Sequence, residues 1–208
     1  MTEAQPVVFI IDDDELVRES LADLLRSVGV EPWPFGSAQD FMDCNRPDAP
    51  GCIVLDVRLP GESGLAFQRV LADSGIHLPI IFISGHGDIA MSVKAMKSGA
   101  LEFLTKPLRE QDLLDAVQAG IEHDRMRRQR VADMVELQQR FASLTPRERD
   151  VFLAVITGRP NKQCAVELGL SEVTVKVHRS QVMRKMLAKS LVDLARMADS
   201  LDMSPKPR

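Results

Sequence analysis

The chain has 208 residues, of which 45% are apolar and 27% charged. These values are typical of globular proteins and exclude disordered, collagen-like and fibrous chains, and the length predicts two small domains. No apolar run approaches the ~20 residues that cross a bilayer, and the first residues do not resemble a secretory signal. We therefore expect a soluble, cytoplasmic protein. Cys44, Cys52 and Cys164 lack disulfide or metal-site spacing and are predicted to be small core residues.

The net charge of −4 conceals two parts of opposite sign. Residues 1–122 contain 9 Lys and Arg against 20 Asp and Glu, a net charge of −11, whereas residues 123–208 contain 17 against 10, a net charge of +7. An acidic part is typical of metal binding or regulation, and a basic part is typical of contact with a polyanion. Two solvated surfaces of opposite sign are the alternative interpretation.

Short apolar runs alternate with amphipathic segments through the acidic part. The runs are 7–11, 52–55, 80–83 and 101–104, and the segments are 15–28, 64–73, 88–97 and the residues from 110 onward. Such runs are typical of parallel strands buried on both faces. Residues 30–35 predict a fifth strand, and Pro32 and Pro34 place it at a sheet edge. We expect an α/β, flavodoxin-like (βα)5 doubly wound parallel sheet, with its site at the carboxyl ends of the strands.

The rest of the chain is predicted to be helical. Residues 110–141 contain no proline and one glycine, which predicts a fifth helix that runs into a helical linker over 123–141. A flexible linker over 123–130 is the alternative. Thr145, Pro146 and Glu148 then form an N-cap, a first-turn proline and a capping box. The helices that follow are predicted at 146–158, 161–168, 172–188 and 191–199, with a frayed tail over 203–208. This pattern predicts a small all-α helix-turn-helix domain over 142–208.

Acidic side chains follow the ends of two predicted strands. Asp12, Asp13 and Asp14 come directly after the first strand, and Asp56 directly follows the run over 52–55. Carboxylates crowded at one sheet edge repel each other unless they share a cation. Aspartates after a strand are also frequent helix N-caps. We therefore assign Asp14 to capping and the other three to a cation site.

The oxygen donors of this edge suit Mg²⁺, which keeps several waters and is often completed by a phosphoryl oxygen. Asp13, Asp56, Asp12 through water and the backbone carbonyl of Arg58 are the predicted ligands, and Mn²⁺ or Ca²⁺ could substitute. With the incoming charge neutralised, a carboxylate oxygen of Asp56 could attack a phosphoryl group and form an acyl phosphate. Lys106 would pair with that phosphate as a point charge.

Four motifs, IIDDDE, LDVRLP, ISGHGD and FLTKP, resemble the receiver domain of two-component response regulators. The resemblance covers residues 5–122. It implies that Asp56 is the phosphoacceptor and that Asp12 and Asp13 bind the metal. It also implies that Lys106, joined to Pro107 by a cis peptide bond, is the cation that meets the phosphate.

The same resemblance implies two residues that report phosphorylation. Ser84 would bond to a phosphoryl oxygen, and Phe103 would be the switch aromatic that follows inward and remodels residues 88–97 and the fifth strand. Taken alone, Ser84 could be an ordinary turn residue and Phe103 a core residue. His86 is interpreted as a solvated loop histidine. Phe103 departs from the family pattern, because many relatives have Tyr there.

Three further motifs, LTPRERDVF, GRPNKQCAVELGLS and TVKVHRSQVMRKM, resemble the LuxR-type DNA-binding domain of the FixJ and NarL branch over residues 142–200. The helix over 172–188 would enter the major groove. Candidates for base edges are Thr174, Lys176, Val177 and Ser180, and candidates for phosphate contacts or support are Lys162, His178, Arg179 and Lys185. One or two of these could be solvated surface residues. Ser180 stands where relatives keep a cation, so their base preference does not transfer.

Together the resemblances imply a response regulator and not an enzyme. It would accept phosphate from a sensor histidine kinase, bind promoter DNA as a homodimer and activate transcription, with RNA polymerase as a further partner and no membrane contact. A phosphohydrolase of the haloacid-dehalogenase type is disfavoured, because it needs a second aspartate where this chain has Arg58. A constitutive DNA binder with a degenerate receiver is disfavoured by the full set of receiver residues.

Overall fold

The computed structural model describes residues 4–61, 63–85 and 89–203, and the chain divides into two compact units between residues 128 and 129. His86 and most of the tail predicted to fray lie outside the described residues. The elements of the first unit are β1 (Val7–Ile11), α1 (Glu15–Ser27), β2 (Glu31–Phe35), α2 (Ala38–Asp43), β3 (Gly51–Asp56), α3 (Gly64–Asp73), β4 (Ile80–Ser84), α4 (Ile89–Lys97) and β5 (Glu102–Thr105). They are followed by α5 (Glu110–Ala142), α6 (Pro146–Val155), α7 (Asn161–Leu168), α8 (Glu172–Met186) and α9 (Leu191–Ser200).

The five strands form one parallel sheet in the order β2-β1-β3-β4-β5. Successive residues of a strand face opposite sides of a sheet. In β1, Phe9 and Ile11 pack with residues of α2, α3 and α4, whereas Val8 and Ile10 pack with residues of α1 and α5. The sheet is therefore covered by helices on both faces, and the predicted doubly wound α/β class is confirmed.

The prolines of β2 lie at the sheet edge, as predicted. The backbone N–H of Glu31 bonds to the carbonyl just before β1, at 3.1 Å, and the carbonyl of Phe35 accepts from the residue after β1, at 3.2 Å. Because backbone polar groups alternate sides along a strand, the intervening Pro32 and Pro34 stand where an N–H would point away from β1. The missing donors therefore fall on the open side of the strand.

Several helix boundaries differ from the predicted ones. Helix α2 has only six residues, so apolar periodicity over nearly two turns could not locate it. Helix α6 ends at Val155 and α8 at Met186, two or three residues earlier than expected. Leu187 ends α8 with a φ of 57°, in the left-handed region that usually favours glycine. Gly169, which ends α7 with a φ of 63°, fits the predicted turn.

Helix α5 packs closely on the sheet through a residue without a side chain. A Cβ at Gly120 would lie 2.8 Å from the Cβ of Cys52, so any other residue would push the helix from β3. One turn later, the fully buried carboxylate of Asp124 accepts the N–H of Gly51 at 3.2 Å and the guanidinium of Arg128 at 2.7 Å. These contacts hold residues 120–128 in the first unit as helix, where a flexible linker was the alternative.

The second unit packs its four last helices and the end of α5 around one apolar core. Its largest fully buried side chain is Phe152, which Phe141 of α5 meets edge to face with ring centroids 5.3 Å apart. The predicted capping box is present: Thr145 accepts the N–H of Glu148, and Glu148 accepts the N–H of Thr145. No helix among the described residues is long and apolar enough to cross a membrane.

The cysteines are free thiols in the part of the chain that the structure describes. Cys52 and Cys164 are buried, and Cys44 is half-buried against the apolar core of the first unit. Burial raises the pKa of the Cys52 thiol to about 12, which leaves it protonated and unreactive at neutral pH. The prediction of small core residues is confirmed for Cys52 and Cys164, and Cys44 lies at the margin of the core.

Candidate functional site

Three carboxylates meet at the carboxyl edge of the sheet. Asp12 follows β1 and is fully buried, Asp56 ends β3 and is almost fully buried, and Asp13 is exposed. One oxygen from each lies within 4.8 Å of the others. The chain brings them together because β1 and β3 are adjacent parallel strands that end at the same edge. The predicted acidic cluster is therefore formed.

Lys106, which follows β5, reaches across the edge to two of these carboxylates. Its Nζ lies 2.7 Å from Oδ2 of Asp12 and 2.8 Å from Oδ2 of Asp56. The peptide bond to Pro107 is cis, as the family resemblance implies. Although burial disfavours the charge of Lys106, hydrogen bonds to Asp12 and Asp56 raise its pKa. Burial raises the pKa of Asp12, with Lys106 acting against that rise.

Backbone groups hold the two buried carboxylates from the other side. Oδ1 of Asp12 accepts the N–H of Asp14 at 2.9 Å, and Oδ1 of Asp56 accepts the N–H of Arg58 at 3.0 Å. Asp14 itself accepts the N–H of Leu16 at 3.0 Å, which confirms it as the N-cap of α1. The role of the Arg58 carbonyl as a metal ligand stays a prediction. Each buried carboxylate thus has one oxygen on the backbone and one on Lys106.

Ser84 and Phe103 lie on the two strands next in order. Ser84 is the buried last residue of β4, and its carbonyl accepts the N–H of Lys106 at 2.8 Å. Phe103 is half-buried in β5, with its ring centroid 6.4 Å from that of Phe82. The structure places Ser84 at the same sheet edge as Asp56. Phe103 lies two residues before the end of β5 and is therefore further from that edge. Their roles in reporting phosphorylation stay predictions.

Replacing Lys106 with Met should lower the free energy of unfolding at pH 7 by about 3 kcal/mol, the low end for breaking a buried ion pair, because two crowded carboxylates lose their counter-charge. Because the pKa of Lys106 is raised in the folded state, its charge contributes fully to the stability of the fold below its usual pKa of 10.5. This contribution is lost as the pH rises through the folded-state pKa. The loss should be smaller at pH 4 than at pH 7, because the raised pKa of Asp12 makes its carboxyl begin to take up a proton at a higher pH than usual. Urea unfolding at both pH values measures this. Lys97→Met, at the exposed end of α4, is the control, and equal losses at both pH values would contradict the interpretation.

Helix α8 presents a narrow stripe of candidate DNA contacts. Its exposed residues include Val173, Lys176, Val177 and Ser180; Lys176 and Val177 follow Val173 by three and four residues and precede Ser180 by four and three, so all four lie along one side of the helix. The opposite side buries Val175, Val182 and Met186 in the core of the second unit. Thr174 is half-buried, with its hydroxyl 2.7 Å from that of Ser171 at the N-cap. The stripe is therefore free of the core and available to a ligand.

The candidate phosphate contacts divide into two kinds. Lys162 is exposed in the first turn of α7, and His178 is half-buried. Arg179 instead donates to Oδ1 of Asn161 at 2.8 Å, joining α8 to α7. Lys185 donates to the buried carboxylate of Glu148 at 2.6 Å and to the carbonyl of residue 143 at 3.2 Å. Arg179 and Lys185 thus hold the second unit together.

The ion pair of Lys185 and Glu148 was not predicted from sequence. Glu148 carried a signal as the capping-box residue three positions after the N-cap, but its partner Lys185 lies 37 residues away. The hydrogen bond from Lys185 is the main reason that the pKa of Glu148 is lowered, and the backbone N–H of Thr145 adds to it. The sequence indicated capping for Glu148 and phosphate contact or support for Lys185, but it did not indicate that the two residues pair.

Lys185→Met should lower the free energy of unfolding of the second unit by about 1.5–3 kcal/mol at pH 7, the usual value of a hydrogen bond to a charged group. Because the pKa of Glu148 is lowered in the folded state, its charge contributes fully to the stability of the fold above the usual pKa of 4.5. This contribution is lost as the pH falls through the folded-state pKa. The difference from wild type should therefore shrink as the pH falls below 4.5, as followed by urea unfolding and helical circular dichroism. Lys189→Met is the exposed control. Unchanged stability with weakened DNA binding would show that Lys185 contacts phosphate instead.

Comparison with protein families matches both parts of the chain. Residues 8–118 match the response regulator receiver domain, and residues 142–198 match the bacterial regulatory proteins of the luxR family. The receiver match alone covers more than half of the chain. The chain therefore belongs to the two-component response regulators that carry a LuxR-type DNA-binding domain.

Relatives match along the whole chain. Nodulation protein W of Bradyrhizobium diazoefficiens is 54% identical over 198 residues, which are 95% of this chain and 87% of the relative. The transcriptional regulatory protein FixJ of Azorhizobium caulinodans is 43% identical over 95% of this chain and 93% of its own. The low-resolution structure of the response regulator StyR has a TM-score of 0.83 and 48% identity, covering 94% of this chain and 99% of that one. Of these relatives, FixJ is described as a transcriptional regulatory protein and StyR as a response regulator, and the family is not an enzymatic one.

Proposed function

We propose that Asp56 accepts the phosphoryl group from a sensor histidine kinase. The observation that carries this is the position of Asp56 at the end of a buried central strand, with one carboxylate oxygen on Lys106 and the cluster partners Asp12 and Asp13 beside it. A carboxylate oxygen of Asp56 attacks phosphorus, the bond to the donor nitrogen breaks, and the leaving imidazole takes up a proton. Lys106 then faces the phosphoryl charge in place of a carboxylate oxygen.

The donor set fits Mg²⁺, because carboxylates are hard oxygen ligands. The proposed ligands are Asp12, Asp13, Asp56 and the carbonyl of Arg58, and Mn²⁺ or Ca²⁺ would accept the same donors. When bound, the ion neutralises the charge of the incoming phosphoryl group. Lys106 already contacts two of these carboxylates, so cation binding and the position of this side chain are coupled.

Phosphorylation would be reported through Ser84 and Phe103 to α4 and β5. Ser84 supports this because its backbone is bonded directly to Lys106. Helix α4 also exposes three apolar side chains, Ile89, Val93 and Met96, at helical spacing. An exposed apolar stripe of this kind supports association between two copies. The surface of α4 and β5 is therefore the proposed interface of the phosphorylated homodimer.

The proposed domains are a receiver over 1–122, a helical linker over 123–141 and a DNA-binding domain over 142–208. Helix α8 would read the major groove with its exposed stripe, and a two-fold dimer would bind two half-sites. Lys162 and His178 would contact phosphate, with Arg179 and Lys185 in support. The output would be activation of a promoter, with RNA polymerase as a partner. A role at promoter DNA supports a cytoplasmic location.

The phosphoacceptor assignment predicts a single modification site. Acetyl phosphate with Mg²⁺ should phosphorylate the wild-type protein but not Asp56→Asn, and removal of Mg²⁺ with a chelator should abolish the reaction, because the unscreened carboxylates repel the donor. Intact-protein mass spectrometry detects the added group. Asp40→Asn, an exposed acid on α2, is the matched control and should react normally. Phosphate retained on Asp56→Asn would overturn the assignment.

The stripe on α8 predicts a difference between reading and anchoring residues. Lys176→Ala should lose about 1–3 kcal/mol of discrimination between a duplex selected by the wild-type protein and a random duplex, if it makes a bidentate contact with guanine. Lys162→Ala should weaken binding to both duplexes alike and lower the slope of binding affinity against salt concentration, on logarithmic scales, by about one unit. Fluorescence anisotropy at several salt concentrations measures both effects. The two roles would be reversed if Lys162→Ala erased discrimination and Lys176→Ala preserved it.

A further inference from the structure

A basic side chain from α1 reaches the backbone at the acidic edge. Nη1 of Arg18 donates to the carbonyl oxygen of Asp12 at 2.7 Å. Its guanidinium lies beside the loop after β2, where a Cβ on Gly36 would be 3.7 Å from Nη1. Arg18 is half-buried and is not one of the residues that the sequence motifs single out. It therefore links α1, the end of β1 and the loop after β2.

This bond fixes a peptide group from which one member of the cluster extends. The carbonyl of Asp12 belongs to the peptide plane that ends at Cα of Asp13, so its direction sets the position of that Cα, from which the side chain of Asp13 extends. The N–H of Asp12 is held too, since it donates to the carbonyl of Phe35 at 3.2 Å. The turn into Asp13 is thus anchored on one side by β2 and on the other by Arg18.

Asp13 depends on this anchor more than the other two carboxylates do. Asp12 and Asp56 are each held by Lys106 and by a backbone N–H. The exposed carboxylate of Asp13 accepts no hydrogen bond from any residue in the ranges 4–61, 63–85 and 89–203. Its place within 4.8 Å of the other oxygens therefore comes from the backbone that carries it.

We propose that Arg18 is a positioning residue for the cation site, which acts by holding the backbone that aims Asp13 at the ion. The inference rests on the proposed function, because it requires that the cluster binds a divalent cation. It also predicts the direction in which the Mg²⁺ affinity changes when Arg18 is removed. A positive charge near a cation site weakens cation binding by repulsion. If Arg18 acted only through its charge, its removal would raise the affinity for Mg²⁺, whereas if Arg18 anchors the backbone, its removal lowers that affinity.

The test is the Mg²⁺ dissociation constant of the full-length, unphosphorylated protein, measured by isothermal titration calorimetry. Arg18→Met should weaken Mg²⁺ roughly 10-fold, the low end of the loss seen when a group that orients a metal ligand is removed. Arg18→Lys, which can still donate to a carbonyl, should recover most of the affinity. Arg26→Met is the matched control, because Arg26 lies two turns further along α1 and pairs with Asp23 on the surface. It should leave Mg²⁺ affinity unchanged.

A second arm separates positioning of Asp13 from a general effect on the fold. In an Asp13→Asn background, Arg18→Met should cause no further loss of affinity, since the ligand that it positions is already removed. Full additivity of the two losses, or tighter Mg²⁺ binding by Arg18→Met, would overturn the inference. Urea unfolding identifies a variant that fails to fold, and Arg18→Ala, which also lacks a donor, then replaces Arg18→Met.

The same titrations distinguish this inference from the proposal beneath it. If Asp12→Asn and Asp13→Asn both bind Mg²⁺ as the wild type does, the cation site itself is wrong and the role of Arg18 fails with it. If those variants lose Mg²⁺ while Arg18→Met does not, the cation site stands and only the positioning role is refuted.

Discussion

Repulsion between carboxylates at one edge of the sheet is the constraint on which the first unit depends. Adjacent parallel strands end side by side, so the chain cannot keep Asp12 and Asp56 apart without giving up the sheet. Two like charges 4 Å apart cost about 4 kcal/mol at an effective dielectric constant near 20. Lys106 offsets this cost from β5, at 2.7 and 2.8 Å. Because Lys106 follows β5 and bonds to both carboxylates, the charge of the site is tied to the position of a strand two places away from β3.

The positions of the acidic residues could be predicted because they follow from chain order. Once the apolar runs are interpreted as parallel strands, the residues after them must share an edge, and Asp12, Asp13 and Asp56 follow without further information. The contact of Arg18 could not be predicted, because it depends on which rotamer crosses from α1 to a carbonyl rather than on any pattern in the chain. The (βα)5 prediction includes a second helix, but its position could not be predicted for a related reason, since short helices are set by packing more than by periodicity.

The second unit shows why charge alone overstates a surface for DNA. Its excess of Lys and Arg is visible in the sequence, but Lys185 donates a hydrogen bond to Glu148 and Arg179 donates one to Asn161. A buried carboxylate needs such a partner, so part of the positive charge serves the fold. The exposed stripe of α8 instead combines a lysine with small and apolar residues, which suits contact with base edges. Sequence could give the helix and its orientation, but the division of cations required coordinates.

The prolines of β2 have a consequence for how copies of this protein can meet. An open sheet edge normally presents a row of N–H and C=O groups on which a strand from another molecule can align, which leads to edge-to-edge aggregation. Pro32 and Pro34 remove the outward donors from this edge, so a foreign strand would find carbonyls there without the matching N–H groups. Continuous β-sheet growth through this side of the molecule is thereby blocked. Two copies can therefore associate reversibly only through the helical faces or through the opposite sheet edge at β5.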